Sequence, residues 1–144
     1  MQALAIGKAE LRRRGRRVAI LAFGVMLTPA LEVAEQLDCT VVNMRFIKPL
    51  DAALVAEMAA SHELVITIEE NVIAGGAGSA VNECLAAQGI VTAIANYGLP
   101  DRLIQHGSRE EMLADAGLTA SSFATFVRER LAQLDDAARA MKRA

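Results

Sequence analysis

An apolar run from Leu64 to Ile68 ends in two carboxylates, Glu69 and Glu70, and leads into a glycine-rich turn at Gly75, Gly76 and Gly78. Beyond the turn Ala77, Val81, Cys84, Leu85 and Gln88 recur on one face at helical spacing, and Gly89 stands where a helix stops. A strand that passes through a tight turn into a helix is the repeating unit of α/β architectures, so residues 64–89 alone restrict the chain to a small set of folds. The helix start presents free backbone N–H groups and the positive end of a helix dipole. The turn formed by Gly75, Gly76, Ala77, Gly78 and Ser79 is therefore a candidate anion-binding or regulatory element. The dinucleotide fingerprint is incomplete, because from Gly76 the string reads G-A-G-S-A-V, with Val81 in place of the last glycine or alanine. No G-K-[ST] follows either. Close packing of the helix start on the sheet explains the same glycines and is favoured over a nucleotide site.

The alternation continues on both sides. Residues 7–14 predict a short strand, Gly15 a turn, and Val18 to Phe23 a strand buried on both faces, since an unbroken apolar run has no solvent side. Gly24 ends that strand, and Thr28 as N-cap with Pro29 at the first helical position opens a helix carrying Leu31, Ala34 and Leu37. Thr40 to Met44 is the next strand. Asp51 caps a helix carrying Leu54, Val55, Met58 and Ala59, near whose end a protonated His62 suits the dipole. Ile90 to Ala95 predicts a further strand, with a turn from Asn96 to Asp101. Ser108 and Glu111 have capping-box spacing and open a short helix to about Asp115, which Gly117 breaks. The final helix starts near Thr119 and carries Phe123, Phe126, Val127, Leu131 and Leu134 as one stripe; its charged end, residues 135–144, is a candidate for fraying. The order predicts a three-layer α/β/α fold with a mostly parallel five-stranded sheet, right-handed crossovers and the first strand antiparallel at an edge.

A length of 144 residues fits one domain, 1–144, large enough to bury roughly 68–70% of its unfolded surface without staples. Hydrophobic residues make up 53% of the chain and the mean hydropathy is +0.31, high enough to suggest an apolar face that meets a partner. The net charge of −2 gives no reason to expect nucleic acid or an anionic membrane, and the sequence shows no membrane-span-length apolar run and no signal-peptide core. Arg12, Arg13, Arg14, Arg16 and Arg17 flank the Gly15 turn, which reads more simply as a charge-lined edge hairpin than as a nucleic-acid patch. Cys39 and Cys84 lack metal or redox spacing and sit in apolar patterns, so they read as reduced, buried, small hydrophobes of a cytoplasmic protein.

Catalytic machinery is hard to find. Glu69 and Glu70 are adjacent in an extended segment, so they point to opposite faces and cannot share a proton. The serines lack a nucleophile elbow, the two isolated histidines offer no metal cluster, and His106 beside Asp101 and Arg102 reads as a surface or domain-contact residue.

Three strings carry a family resemblance: RFIKPLD (Arg45 to Asp51), TIEENVIAGGAGSAVNE (Thr67 to Glu83) and GLPDRLIQHGSREEM (Gly98 to Met112). From about Gly7 to Leu131 the chain resembles the transketolase-like C-terminal domain of 1-deoxy-D-xylulose-5-phosphate synthases. The first string and the acidic strand end also resemble the C-terminal domains of E1 β subunits of 2-oxoacid dehydrogenases. The E-E-N-x-x-x-G-G-A-G-S and P-D-R-x-I-x-H-G strings are more specific to the synthases.

The resemblance implies a transketolase C-terminal-domain-like fold and a fragment of a larger homodimeric enzyme that joins pyruvate to glyceraldehyde 3-phosphate with release of carbon dioxide. That reaction feeds isoprenoid precursors, thiamine and pyridoxal. It also implies that thiamine diphosphate and Mg2+ bind in other, preceding domains. No catalytic, cofactor or metal residue is carried over to this chain, whose implied role is structural support and subunit contact. Phe46, Pro49, Ile73, Leu103 and His106 are the candidate contacts, in loops that mix apolar residues with proline and glycine. An independent small-anion or nucleotide module acting through the 75–79 turn stays open as a second class of function.

Overall fold

The computed structural model describes residues 3–143. Five strands, β1 (Glu10–Arg13), β2 (Val18–Ala22), β3 (Thr40–Asn43), β4 (Leu64–Val72) and β5 (Ala93–Leu99), form one sheet in the order β1-β3-β2-β4-β5. The pairs β2–β3, β2–β4 and β4–β5 are parallel, and β1 lies antiparallel on β3 at one edge. Five α-helices cover it: α1 (Leu27–Leu37), α2 (Ala52–Ser61), α3 (Ala77–Ala87), α4 (Arg109–Asp115) and α5 (Ala120–Arg143).

Strand pleating decides the two cores. Val18, Ile20 and Ala22 of β2 and Ile66 and Ile68 of β4 face α1 and α5, where Val33, Phe123 and Val127 are buried. Ala19, Leu21 and Val65 point the other way, onto Val55 and Met58 of α2 and Val81 and Leu85 of α3. The result is the expected three-layer α/β/α fold.

Local departures from the expectation have local causes. The edge strand is antiparallel as expected, but β1 and β2 are not a hairpin, because β3 lies between them. Gly15 makes this possible by passing against the Cys39 backbone, where a Cβ would collide with the carbonyl group, and its N–H donates to Thr40 Oγ1 at 2.9 Å. The first helix begins earlier than Thr28: Gly24–Met26 is a turn of 3-10 helix that runs into α1, whose N-cap is Met26 with no side-chain cap bond. The fifth strand is shifted, since Asn96 to Leu99 belong to β5 rather than to a turn. Tyr97 anchors that shift. Its ring lies 4.9 Å from Phe123 and 4.8 Å from Phe126, and its hydroxyl donates to Gly117 O. The caps at Asp51 and Ser108 form as expected, the second as a complete capping box. Cys39 is buried, but Cys84 is only half-buried and Gln88 is exposed, so the buried stripe of α3 is Ala77, Gly78, Val81 and Leu85.

The basic run is largely paired. Arg13 reaches Asp38 at 3.1 Å and Cys39 O at 2.6 Å, and Arg16 meets Asp38 at 3.4 Å. Arg17 holds Glu63 at 3.0 Å and Asp135 on α5 at 2.5 Å. These bonds favour the structural reading of the arginines. Among the described residues no helix is long and apolar enough to cross a membrane.

Candidate functional site

The glycine turn does hold an anion, and the anion belongs to the chain itself. Glu69, 3% exposed, accepts from Ala77 N at 2.7 Å and Gly78 N at 2.8 Å. Gly76 is packed against this carboxylate, since a Cβ there would stand 2.5 Å from Oε2. The other turn amides are also engaged: Gly75 N with Ser79 Oγ at 3.1 Å, Gly76 N with Ile73 O at 3.2 Å and Ser79 N with Gly76 O at 3.1 Å. The expectation of free N–H donors at Gly75, Gly76, Ala77, Gly78 and Ser79 is therefore corrected. A phosphate would have to displace a buried carboxylate, and the small-anion module loses the donors it needed. Gly78 serves packing, because a Cβ there would collide with Asn96 Nδ2 and stand 2.5 Å from Thr67 Oγ1.

Glu69 and Glu70 diverge as pleating requires. Glu70 emerges on the α4 side and takes two bonds from Arg109, at 2.7 and 3.1 Å, which raises the guanidinium's pKa. The two form no dyad. His62 is a fastening rather than a base: Nδ1 lies 3.1 Å from Met58 O in the last turn of α2, and Nε2 lies 2.7 Å from Thr40 Oγ1. Burial pushes the Cys39 thiol up to about 11, so it is a poor nucleophile at neutral pH.

The R-x-x-x-P-L-D string also has a structural explanation. Arg45 reaches Glu10 on β1 at 2.6 Å, and Asp51, 7% exposed, caps α2 while accepting from Ala9 N at 3.1 Å. Both ends of the loop are thus tied to the incoming chain, and Gly7 packs closely on Pro49. Among the described residues no three metal-ligating side chains gather. The helix terminus at the glycine turn is also filled, by Glu69, so that turn does not fit a diphosphate.

The sequence-derived contact residues all lie in loops leaving the C-terminal ends of strands. Phe46 and Pro49 follow β3, Ile73 follows β4, and Leu103 and His106 follow β5. Phe46 is half-buried; the other four are exposed, Leu103 almost completely. Val25, 59% exposed, joins them from the end of β2 and was not among the expected contacts, because Gly24-Val25-Met26 carries no signal beyond an apolar string.

Residues 7–123 match the family described as "Transketolase, C-terminal domain". The 1-deoxy-D-xylulose-5-phosphate synthases of Thioalkalivibrio sulfidiphilus and Nitrosococcus oceani are 60% and 58% identical over 131 and 134 residues. Those stretches cover 91% and 93% of this chain but 20% and 21% of the relatives, so the chain spans about a fifth of their length. The solved structure of a "Split gene transketolase, inactive beta4 tetramer" superposes with a TM-score of 0.82 at 31% identity, covering 90% of this chain and 44% of that one. Transketolase from Campylobacter jejuni, at 22% identity and TM-score 0.61, covers 85% of this chain and 18% of its own, and shares the fold.

Proposed function

Since the chain belongs to the transketolase C-terminal domain family, we propose that it is the non-catalytic assembly domain of a 1-deoxy-D-xylulose-5-phosphate synthase. The observation that carries this reading is the 60% identity to a synthase, sustained over 91% of the chain. The parent enzyme would condense pyruvate with glyceraldehyde 3-phosphate, release carbon dioxide and supply isoprenoid precursors in the cytoplasm as a homodimer. Thiamine diphosphate and Mg2+ would sit in the preceding domains. What this chain contributes is a rigid platform: α3 locked to β4 by Glu69, and loops at the strand ends held in place by Arg45 and Asp51. Phe46, Pro49, Ile73, Leu103 and His106 are the proposed contacts with the preceding domains or a second subunit.

The test is product formation by the intact polypeptide supplied with thiamine diphosphate and Mg2+. Conversion of pyruvate and glyceraldehyde 3-phosphate to 1-deoxy-D-xylulose 5-phosphate is expected, whereas oxidation of a 2-oxoacid or ketol transfer in its place would refute the reading. Residues 1–144 alone should give no saturable heat with cofactor and Mg2+ in a calorimeter; micromolar binding would contradict the role assigned here.

A further inference from the structure

Two hollows of about 280 and 270 Å³ adjoin at the end of the sheet where β2 and β4 lie side by side, and both are lined by Ile47, Asn71 and Ala77. The chain leaves β2 toward α1 and β3 on one side and leaves β4 toward α3 and β5 on the other, so the loops part here and leave a crevice. One end of the crevice is lined by Phe23 and Val25 together with Glu69 and Glu70, whose carboxylates are already held by the α3 amides and by Arg109; the other carries Glu83 on α3. Ile47 stands between them at 51% exposure. Among the described residues Glu83 makes no ion pair and the Asn71 side chain makes no hydrogen bond, although neighbouring Glu70 is paired.

The chain reaches the domain beside this crevice. Gly7 packs on Pro49, two residues beyond Ile47, and the residues before it, Leu4 and Ile6, are 59% and 76% exposed. About four-fifths of each synthase relative lies outside the matched stretch, since the match covers 20% of its length. We infer that this crevice seats an apolar segment carrying a basic residue, supplied by the region that precedes the domain in its synthase relatives. The apolar side chains of that segment lie against Phe23, Val25 and Ile47, and its cation meets Glu83. This inference rests on the assembly reading above and adds to it the place, the polarity and the source of the contact.

The test uses the intact polypeptide with a photo-crosslinking benzophenone side chain at position 47, and separately at position 91. Val91 is 99% exposed and precedes β5, at the opposite end of the sheet, so it serves as the control. The expected result is a cross-link from 47 into the preceding region, on the same polypeptide or a partner's, and none from 91. A cross-link from 47 to a second copy of this domain, no cross-link from 47, or equal products from both positions would overturn the assignment. As a second measurement, Ile47→Asp in the intact polypeptide should speed amide exchange at Val25 and Asn71 to Gly76 at least about tenfold while β2 stays protected. Unchanged exchange would also overturn it. Absence of synthase product from the unmodified polypeptide would refute the functional reading without bearing on where position 47 cross-links.

Discussion

Glu69 and the glycines facing it work as one unit. The carboxylate accepts two α3 amide bonds away from water, and both Gly76 and Gly78 lie where a Cβ would collide with the sheet side of the turn. A bond to a charged group is worth about 1.5–3 kcal/mol. Glu69→Gln keeps the shape but turns an NH2 group toward one of the two amides, so it should cost about 2 kcal/mol and lower Tm by about 6 °C. Scanning calorimetry reads this directly, and an unchanged Tm would mean that the carboxylate does not hold the helix. Gly78→Val should cost more, about 3 kcal/mol or above, because Asn96 and Thr67 are register partners on β5 and β4 and cannot both retreat. The need for glycine here was legible in the sequence, as was the divergence of the two glutamates. Which glutamate meets the helix was not legible, since that depends on the side of the sheet to which α3 returns, a non-local choice.

Elements are legible in the sequence where their signal is local. The Ser108 and Asp51 caps each lie within three residues of their partners, and both form. The fifth strand runs on to Leu99, past its local apolar signal, because its anchor is distant: Tyr97 packs on Phe123 and Phe126, more than twenty residues along the chain. Ile90 N instead closes the end of α3 by donating to Leu85 O at 3.0 Å. The edge strand pairs with β3 rather than with β2, a partner no local signal names, since that pairing spans a whole helix. Tyr97 allows a direct check on how β5 and α5 meet. It is the only tyrosine, and burial raises its pKa above the ordinary value of about 10. A raised folded-state value means that the associated stability is fully present below about pH 10 and is lost as the pH rises through the folded pKa. Phenolate absorbance should therefore appear at higher pH in the native protein than in denaturant. The fall in Tm above about pH 10 should be smaller in Tyr97→Phe. Coincident native and denatured titrations would place Tyr97 in solvent.

At the scale of the molecule, the two edges and two ends of the sheet are treated differently. The β1 edge is short, irregular between Leu11 and Arg13, and carries Glu10, Arg12 and Arg13, which discourages pairing with other chains. The end from which β2, β3 and β4 emerge exposes Val25, Ile47 and Ile73 instead. An excess of apolar residues was visible in composition, but its location needed the topology, because those three residues sit in separate loops more than twenty positions apart. In isolation, residues 1–144 should self-associate through this end. Burying an isoleucine side chain is worth about 1.5–3 kcal/mol, and a tenfold change in affinity corresponds to about 1.4 kcal/mol. Placing a charge at both Ile47 and Ile73 should therefore weaken association by at least about a hundredfold. Sedimentation velocity over a concentration series would show Ile47→Asp/Ile73→Asp as a monomer where the unmodified chain forms dimers or larger species. Both positions are already exposed, at 51% and 37%, so the melting curve of the monomer should change little. A double variant that associates as tightly as the original would show that copies of the domain meet through some other surface, and the uncharged β5 edge would be the next place to put a lysine.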